Sequence, residues 1–248
     1  MPKSAKLIYQ PDLDSRVTAI KDYGYTYFPA VLNQKQISEL KAAMDQLKAD
    51  EDSFSRHSTT NNMLVGKKNG KSDPGFFEKS INNAFNQHPL FLKFLDRPEI
   101  IDLEEALHGK DCHIIGMTAW ITGPGKPDQS LHCDWLPIEL PEDILRDDRI
   151  DMPVFITTTH YYLNDLYEEL GPTKLIPGTH KSGRLPNGDT SWNGVREQSL
   201  MCKAGEAVTF RSEVWHRGTQ NISQETRYLL QLHYAHRMIS QKIPTLSQ

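Results

Sequence analysis

Cysteine is scarce in this chain. Its 248 residues include three, Cys112, Cys133 and Cys202, an odd number without Cys-x-x-Cys spacing. That pattern excludes a disulfide framework and reads as reduced thiols in a cytoplasmic protein. Positive charge is not in excess: 28 Lys and Arg stand against 32 Asp and Glu, a net charge of −4. The electrostatic footprint of a nucleic-acid binder is therefore missing. No apolar run approaches the roughly 20 residues of a membrane-spanning helix. The opening residues, Met1-Pro2-Lys3-Ser4-Ala5-Lys6, lack the apolar stretch of a signal peptide. The expectation is a chain with no nucleic-acid partner and no membrane partner.

What is present divides the chain in two, within one expected domain spanning 1–248. The first part, about 1–110, is helical. Residues 12–23 and 34–50 read as helices, the second with Ile37, Leu40, Met44 and Leu47 at steps of three and four. Gly24 to Leu32 between them is a short aromatic strand. From Glu51 to Ser80 the composition turns polar, with loop chemistry at Asn61-Asn62, Gly66 to Lys71 and Asp73-Pro74-Gly75. The lysines there read as a solvated loop. Residues 86–108 predict two amphipathic helices broken at Arg97-Pro98.

From about 111 to 237 the pattern is strands: 113–122, 129–135, 154–163, 173–176, 198–202, 207–210 and 227–234, with an acidic insertion at 137–153. Short strands punctuated by Gly and Pro, preceded by helices, predict a mostly β fold with flanking helices around a double-sheet jelly roll. This is the double-stranded β-helix of cupin-like proteins.

The chemistry concentrates at Leu131-His132-Cys133-Asp134-Trp135. On an extended strand His132 and Asp134 project to one face, and Cys133 faces away. They make two thirds of a 2-His-1-carboxylate facial triad, which binds Fe(II) and leaves positions open. A His-x-Asp pair alone is weak evidence, because ten histidines make one match common by chance. His216, near the end of an apolar run, is the best third ligand. Thr219 to Gln224 is a turn-rich break. If it closes an antiparallel hairpin, His216 faces Arg227, and the guanidinium fork suits a carboxylate beside the metal.

Three segments in one order carry a resemblance: His132-x-Asp134; Gly171-Pro172-Thr173 through Pro177-Gly178-Thr179-His180; and Trp215-His216-Arg217-Gly218-Thr219-Gln220-Asn221-x-Ser223 followed by Arg227. Together they resemble the phytanoyl-CoA dioxygenase family of Fe(II)/2-oxoglutarate-dependent oxygenases, over roughly residues 20–237. The resemblance implies that His132, Asp134 and His216 ligate iron and that Arg227 grips the distal carboxylate of 2-oxoglutarate. It also implies cosubstrate contacts from Gln129 and Thr173, and gives His180 a structural turn rather than a ligand role. The implied reaction consumes O2 and 2-oxoglutarate, releases succinate and CO2, and hydroxylates a C–H bond of a small-molecule substrate. Asp134 stands where related halogenases have Gly or Ala, which favours hydroxylation over halogenation.

His160, His113, His233 and His236 read as packed or hydrogen-bonded histidines, with His160 also able to line the pocket. Met117, Trp120, Trp135 and the 54–80 loop are candidate pocket residues. Arg184, Arg211, Arg217 and Arg237 read as surface charges. The rivals are a non-catalytic metal-binding jelly roll and a cupin-like non-redox metalloenzyme. A homodimer is compatible with the pattern, which does not compel it.

Overall fold

The first helix, α1 (Leu13–Tyr23), starts where Asp12 caps it, accepting the Ser15 N–H at 2.8 Å. It ends at Gly24, whose φ of +83° is left-handed. A Cβ at Gly24 would meet Nδ1 of His180 at 2.5 Å, so glycine is required for conformation and for space. The structure, a computed structural model, describes residues 10–49, 67–68, 71–72, 78–147, 149–150 and 152–239.

Strand β1 (Tyr25–Phe28) follows, then helix α2 (Gln34–Ala49), which buries Ile37, Leu40, Met44 and Leu47. Burying each such side chain stabilises by about 1.5–3 kcal/mol. The small ladder β2 (Lys67–Lys68) and β3 (Lys71–Ser72) precedes β4 (Glu78–Asn82). Helix α3 (Pro98–His108) begins on a proline, whose missing N–H costs nothing at that position. The core strands are β5 (His113–Thr122), β6 (Ile156–Tyr162) and β7 (Thr173–Leu175). Then come β8 (Ser191–Trp192), β9 (Val195–Arg196), β10 (Gln198–Ser199), β11 (Ala207–Arg211), β12 (His216–Gly218) and β13 (Arg227–Ala235).

The large sheet runs β1-β11-β6-β13-β5-β4, and the smaller one β10-β7-β12. All pairings are antiparallel. The large sheet is covered on both faces, so β6 is buried along its whole length. Alternation sorts its side chains. Thr157 and Thr159 bond to Glu104 on α3, whereas Thr158 bonds to Asp134 on the inner side. Met117, Ala119 and Ile121 of β5 pack into the helix-side core with α2 and α3. A second apolar cluster, including Tyr162, Leu175, Val208, Phe210 and Leu229, fills the space between the sheets.

Several expectations are corrected. The break at 219–224 does not close a hairpin: β12 pairs with β7, and β13 lies in the other sheet between β6 and β5. Arg227 faces Thr122, not His216. Residues 129–135 form an extended segment with one bridge, His132 to His216, rather than a strand. Residues 78–80, expected in a loop, belong to edge strand β4. Residues 86–96 form the end of one helical turn, Ala84–Gln87, and a 3-10 segment, Pro89–Phe94. Most of the 54–80 loop lies outside the described residues, but its lysine cluster, expected in a loop, contributes Lys67 and Lys68 to β2 and Lys71 to β3.

Candidate metal centre

His132 and His216 exchange backbone hydrogen bonds, His132 N to His216 O at 3.0 Å and the reverse at 2.8 Å. This closely spaced pair locks the two segments in register and sets the imidazoles side by side, their centroids 4.5 Å apart. Asp134 follows two residues on, and its N–H donates to the Ser212 carbonyl at 3.0 Å. One donor atom from each of His132, Asp134 and His216 lies within 4.8 Å of the others. Among the described residues they form the one such group of three or more His, Cys, Asp or Glu.

Hydrogen bonding decides which atoms face inward. Nδ1–H of His132 donates to the Ser130 carbonyl at 2.8 Å, and Nδ1–H of His216 to that of Val214 at 2.9 Å. Each ring therefore keeps the lone pair of Nε2 for the centre. Thr158 Oγ1 donates to Oδ2 of Asp134 at 2.8 Å, which leaves Oδ1 turned towards Nε2 of His216 at 3.6 Å. With its proton committed to Asp134, Thr158 Oγ1 accepts Nδ1–H of His233 at 3.0 Å. His233 packs edge-on against Trp135, centroids 4.6 Å apart. Two imidazole nitrogens and a carboxylate oxygen, each oriented by a further hydrogen bond, suit Fe(II) and leave coordination positions for other ligands.

Electrostatics agree with a site built for a cation. Burial would raise the Asp134 carboxyl, but His216, with His233 and His132, holds it well below the usual carboxylate range. Burial lowers His216, yet Asp134 outweighs this and leaves it raised. Burial and the neighbouring His216 lower His132.

Beyond the triad, Gln129 is fastened to β12: its Oε1 accepts the Gly218 N–H at 2.8 Å. A Cβ at Gly218 would stand 2.9 Å from that oxygen, so glycine makes room for the amide. Thr173 faces Gly218 across the small sheet and is buried. Arg227 is buried on β13, with Nη2 3.5 Å from Thr122 Oγ1. Along the inner face from the Asp134 anchor, the cross-strand pairs are Thr158 with His233, His160 with Gln231, and Tyr162 with Leu229. Arg227 is the next inner position of β13.

Cys133 packs on the far side, against Ile176, Trp192 and Trp215. His180 is buried away from the triad, with Nε2–H donating to the Lys21 carbonyl at 3.0 Å. Trp120 is on the inner face, its Nε1–H donating to Gln231 at 2.7 Å. Met117, expected in the pocket, is on the opposite face of the same strand. Arg211, expected at the surface, is buried and paired with Glu213 at 3.0 Å. The expectations did not single out Thr158 and passed over His233 as a packed residue. Their even spacing from β6 and β13 neighbours gives the face, but their bond to Asp134 is long-range and invisible in sequence.

An antiparallel double-stranded β-helix closed over such a donor set defines a class, the 2-oxoglutarate-dependent oxygenases. The family profile for Phytanoyl-CoA dioxygenase (PhyH) matches residues 20–228, and the chain belongs to that family. The family's enzymes depend on iron and 2-oxoglutarate. Among solved structures, EctD from S. alaskensis with 2-oxoglutarate and 5-hydroxyectoine superposes with a TM-score of 0.72 at 16% identity, over 94% of this chain and 80% of that one. The epimerase SnoN from nogalamycin biosynthesis, in complex with Fe3+, alpha ketoglutarate and nogalamycin RO, gives 0.68 at 17% identity, over 90% and 83%. HygX from Streptomyces hygroscopicus with nickel and 2-oxoglutarate gives 0.66 at 12% identity, over 91% and 88%. At these identities the likeness establishes the fold.

Proposed function

We propose that this protein is a cytoplasmic dioxygenase that hydroxylates a C–H bond of a small-molecule metabolite, using Fe(II), O2 and 2-oxoglutarate. His132 and His216 hold the iron through Nε2, and Asp134 through Oδ1. Arg227 binds the distal carboxylate of 2-oxoglutarate, with Gln129 and Thr173 completing the cosubstrate site. The observation that carries this reading is the convergence of three ligand atoms within 4.8 Å, with both Nδ1 atoms tied back to carbonyls.

Bound together, iron and 2-oxoglutarate would activate O2 for attack on unactivated C–H bonds. The protein's part is orientation and exclusion of water. His233 and Thr158 fix the Asp134 carboxylate. Tyr162, Leu175, Phe210 and Leu229 keep the interior between the sheets dry. Arg227 provides a buried positive charge on the path away from the triad. SnoN is an epimerase, so this fold carries more than one outcome. The carboxylate of Asp134 occupies the position that a halide would need, which favours hydroxylation over halogenation.

The test is succinate release. Iron-loaded protein in air should convert 2-oxoglutarate to succinate, and a panel of small metabolites should reveal a substrate that accelerates it. His132→Ala and Asp134→Ala should each abolish release. Unchanged release in either variant would contradict the assignment.

A further inference from the structure

One buried group on the inner face is not explained by the triad or by Arg227. His160 is 5% exposed, and neither ring nitrogen has a hydrogen-bond partner among the described residues. Leaving a polar group so deeply buried without a partner is costly, about 1–3 kcal/mol. The other inner histidines show how this fold treats imidazoles. His132, His216 and His233 each use Nδ1. His108, on the helix side, uses both nitrogens.

Its position is specific. On β6 it is one inner-face step from Thr158, which anchors Asp134, and one step from Tyr162, beyond which the Arg227 position lies. Phe210 touches both this ring and that of His216, with centroids 4.9 Å and 4.8 Å away. Tyr162 meets it edge-on at 6.0 Å. The aromatic edges hold the ring plane without satisfying its nitrogens. Burial, and then the proximity of His216, depress its pKa to about 3, so the ring carries one N–H.

We propose that His160 is a cosubstrate-binding residue, donating its single N–H to an oxygen of 2-oxoglutarate between the triad and Arg227. The inference rests on the function proposed above. A neutral imidazole suits the place. It supplies a donor to an oxygen-rich dianion without adding a third positive charge beside the metal and Arg227, and without competing with them as a counter-ion.

The experiment is an anaerobic titration of Fe(II)-loaded protein with 2-oxoglutarate, followed by the visible metal-to-ligand charge-transfer band. Iron affinity is measured separately, without cosubstrate. His160→Phe keeps the ring packing and removes the donor. It should bind Fe(II) as the wild type does, but require roughly tenfold more 2-oxoglutarate, as expected for loss of a hydrogen bond to a charged group. The band should also shift in energy. His160→Gln, which keeps a donor, should recover most of the affinity, and His160→Leu, which also lacks a donor and should show the same loss, serves as the measurement if the phenylalanine variant fails to fold. A wild-type band with unchanged midpoint and energy in His160→Phe, or no affinity loss in His160→Phe and His160→Gln alike, overturns the His160 assignment alone. No band in iron-loaded wild type overturns the proposed function and His160 with it.

Discussion

Two buried polar clusters flank the large sheet, one on each face, and both pair histidine with carboxylate and threonine. On the helix side Glu104 and His108 lie one turn apart on α3, with Oε2 and Nε2 3.2 Å apart. Thr157 and Thr159 donate to Glu104, and Thr159 also meets Thr209 at 2.7 Å. The second nitrogen of His108 bonds the Val154 carbonyl at 2.9 Å. This cluster is closed: its ring nitrogens and carboxylate oxygens are committed inside the protein. On the inner side, His132, His216 and Asp134 use only part of their capacity, and the remaining lone pairs converge on one point. Residue type does not separate the two clusters. Saturation does: the helix-side set is closed on itself, whereas the inner set leaves convergent lone pairs open to a ligand.

The sharpest way to break this comparison is to truncate one carboxylate from each side. Asp134→Ala should abolish iron-dependent turnover while the apo-protein's Tm changes by only a few degrees. Glu104→Ala should do the reverse. It leaves Thr157 without its acceptor and takes the carboxylate away from Nε2 of His108 and Oγ1 of Thr159 in a buried cluster, at a cost of about 3–5 kcal/mol. Thermal unfolding should fall by about 10 °C, with the 2-oxoglutarate requirement unchanged in the folded protein. If Glu104→Ala removed metal binding, the division into two roles would fail.

Next in size is Arg227→Ala. Loss of a buried charge-assisted contact should raise the 2-oxoglutarate concentration required by about 10–100-fold, with iron affinity unaltered. Equilibrium binding of each ligand separates the two. Thr158→Val keeps the side-chain shape and frees Asp134 Oδ2. Metal affinity should fall by about tenfold, as when an orienting partner is removed, and metal competition titrations measure it.

The smallest effect is on pH. Burial, then Arg211, lowers His180 to about 3, below the roughly 6.5 of an unfolded histidine. The unfolded chain takes the proton first. This residue's contribution to stability is therefore intact above about pH 6.5 and is lost progressively as pH falls towards 3, by at most about 1.4 kcal/mol per unit. The urea midpoint should fall between pH 7 and 5, and less steeply in His180→Gln.

Helices α1, α2 and α3 and most core strands were legible because their signals are local: apolar steps of three and four, alternation, and turn residues. That His132, Asp134 and His216 would come together was legible because the residue types able to form such a donor set are few and their segments occur in a recognisable order. The hairpin at 219–224 failed for a physical reason. The turn chemistry is real, but Asn221 is buried and donates from Nδ2 to the Thr122 and Glu225 carbonyls, and its N–H bonds the Lys126 carbonyl. The chain is thereby carried from the small sheet to the large one, a long-range choice that turn residues do not encode. Strand β4 was hidden because an edge strand can be polar, as Glu78, Lys79 and Asn82 are here. Met117 and Trp120 could not both line the pocket, since one strand sends odd and even positions to opposite faces. The role of His160 was unreadable for another reason. Periodicity gives its face, but whether its nitrogens find partners depends on residues from other strands.

The central claim is that the inner cluster is open and chelates a metal that in turn holds 2-oxoglutarate. The direct measurement is an anaerobic titration of Fe(II) and 2-oxoglutarate into wild type, His216→Ala and His108→Ala. The account predicts a saturable visible charge-transfer band in wild type and in folded His108→Ala, and none in His216→Ala. A band that persists in His216→Ala, or that is lost in folded His108→Ala, would contradict it.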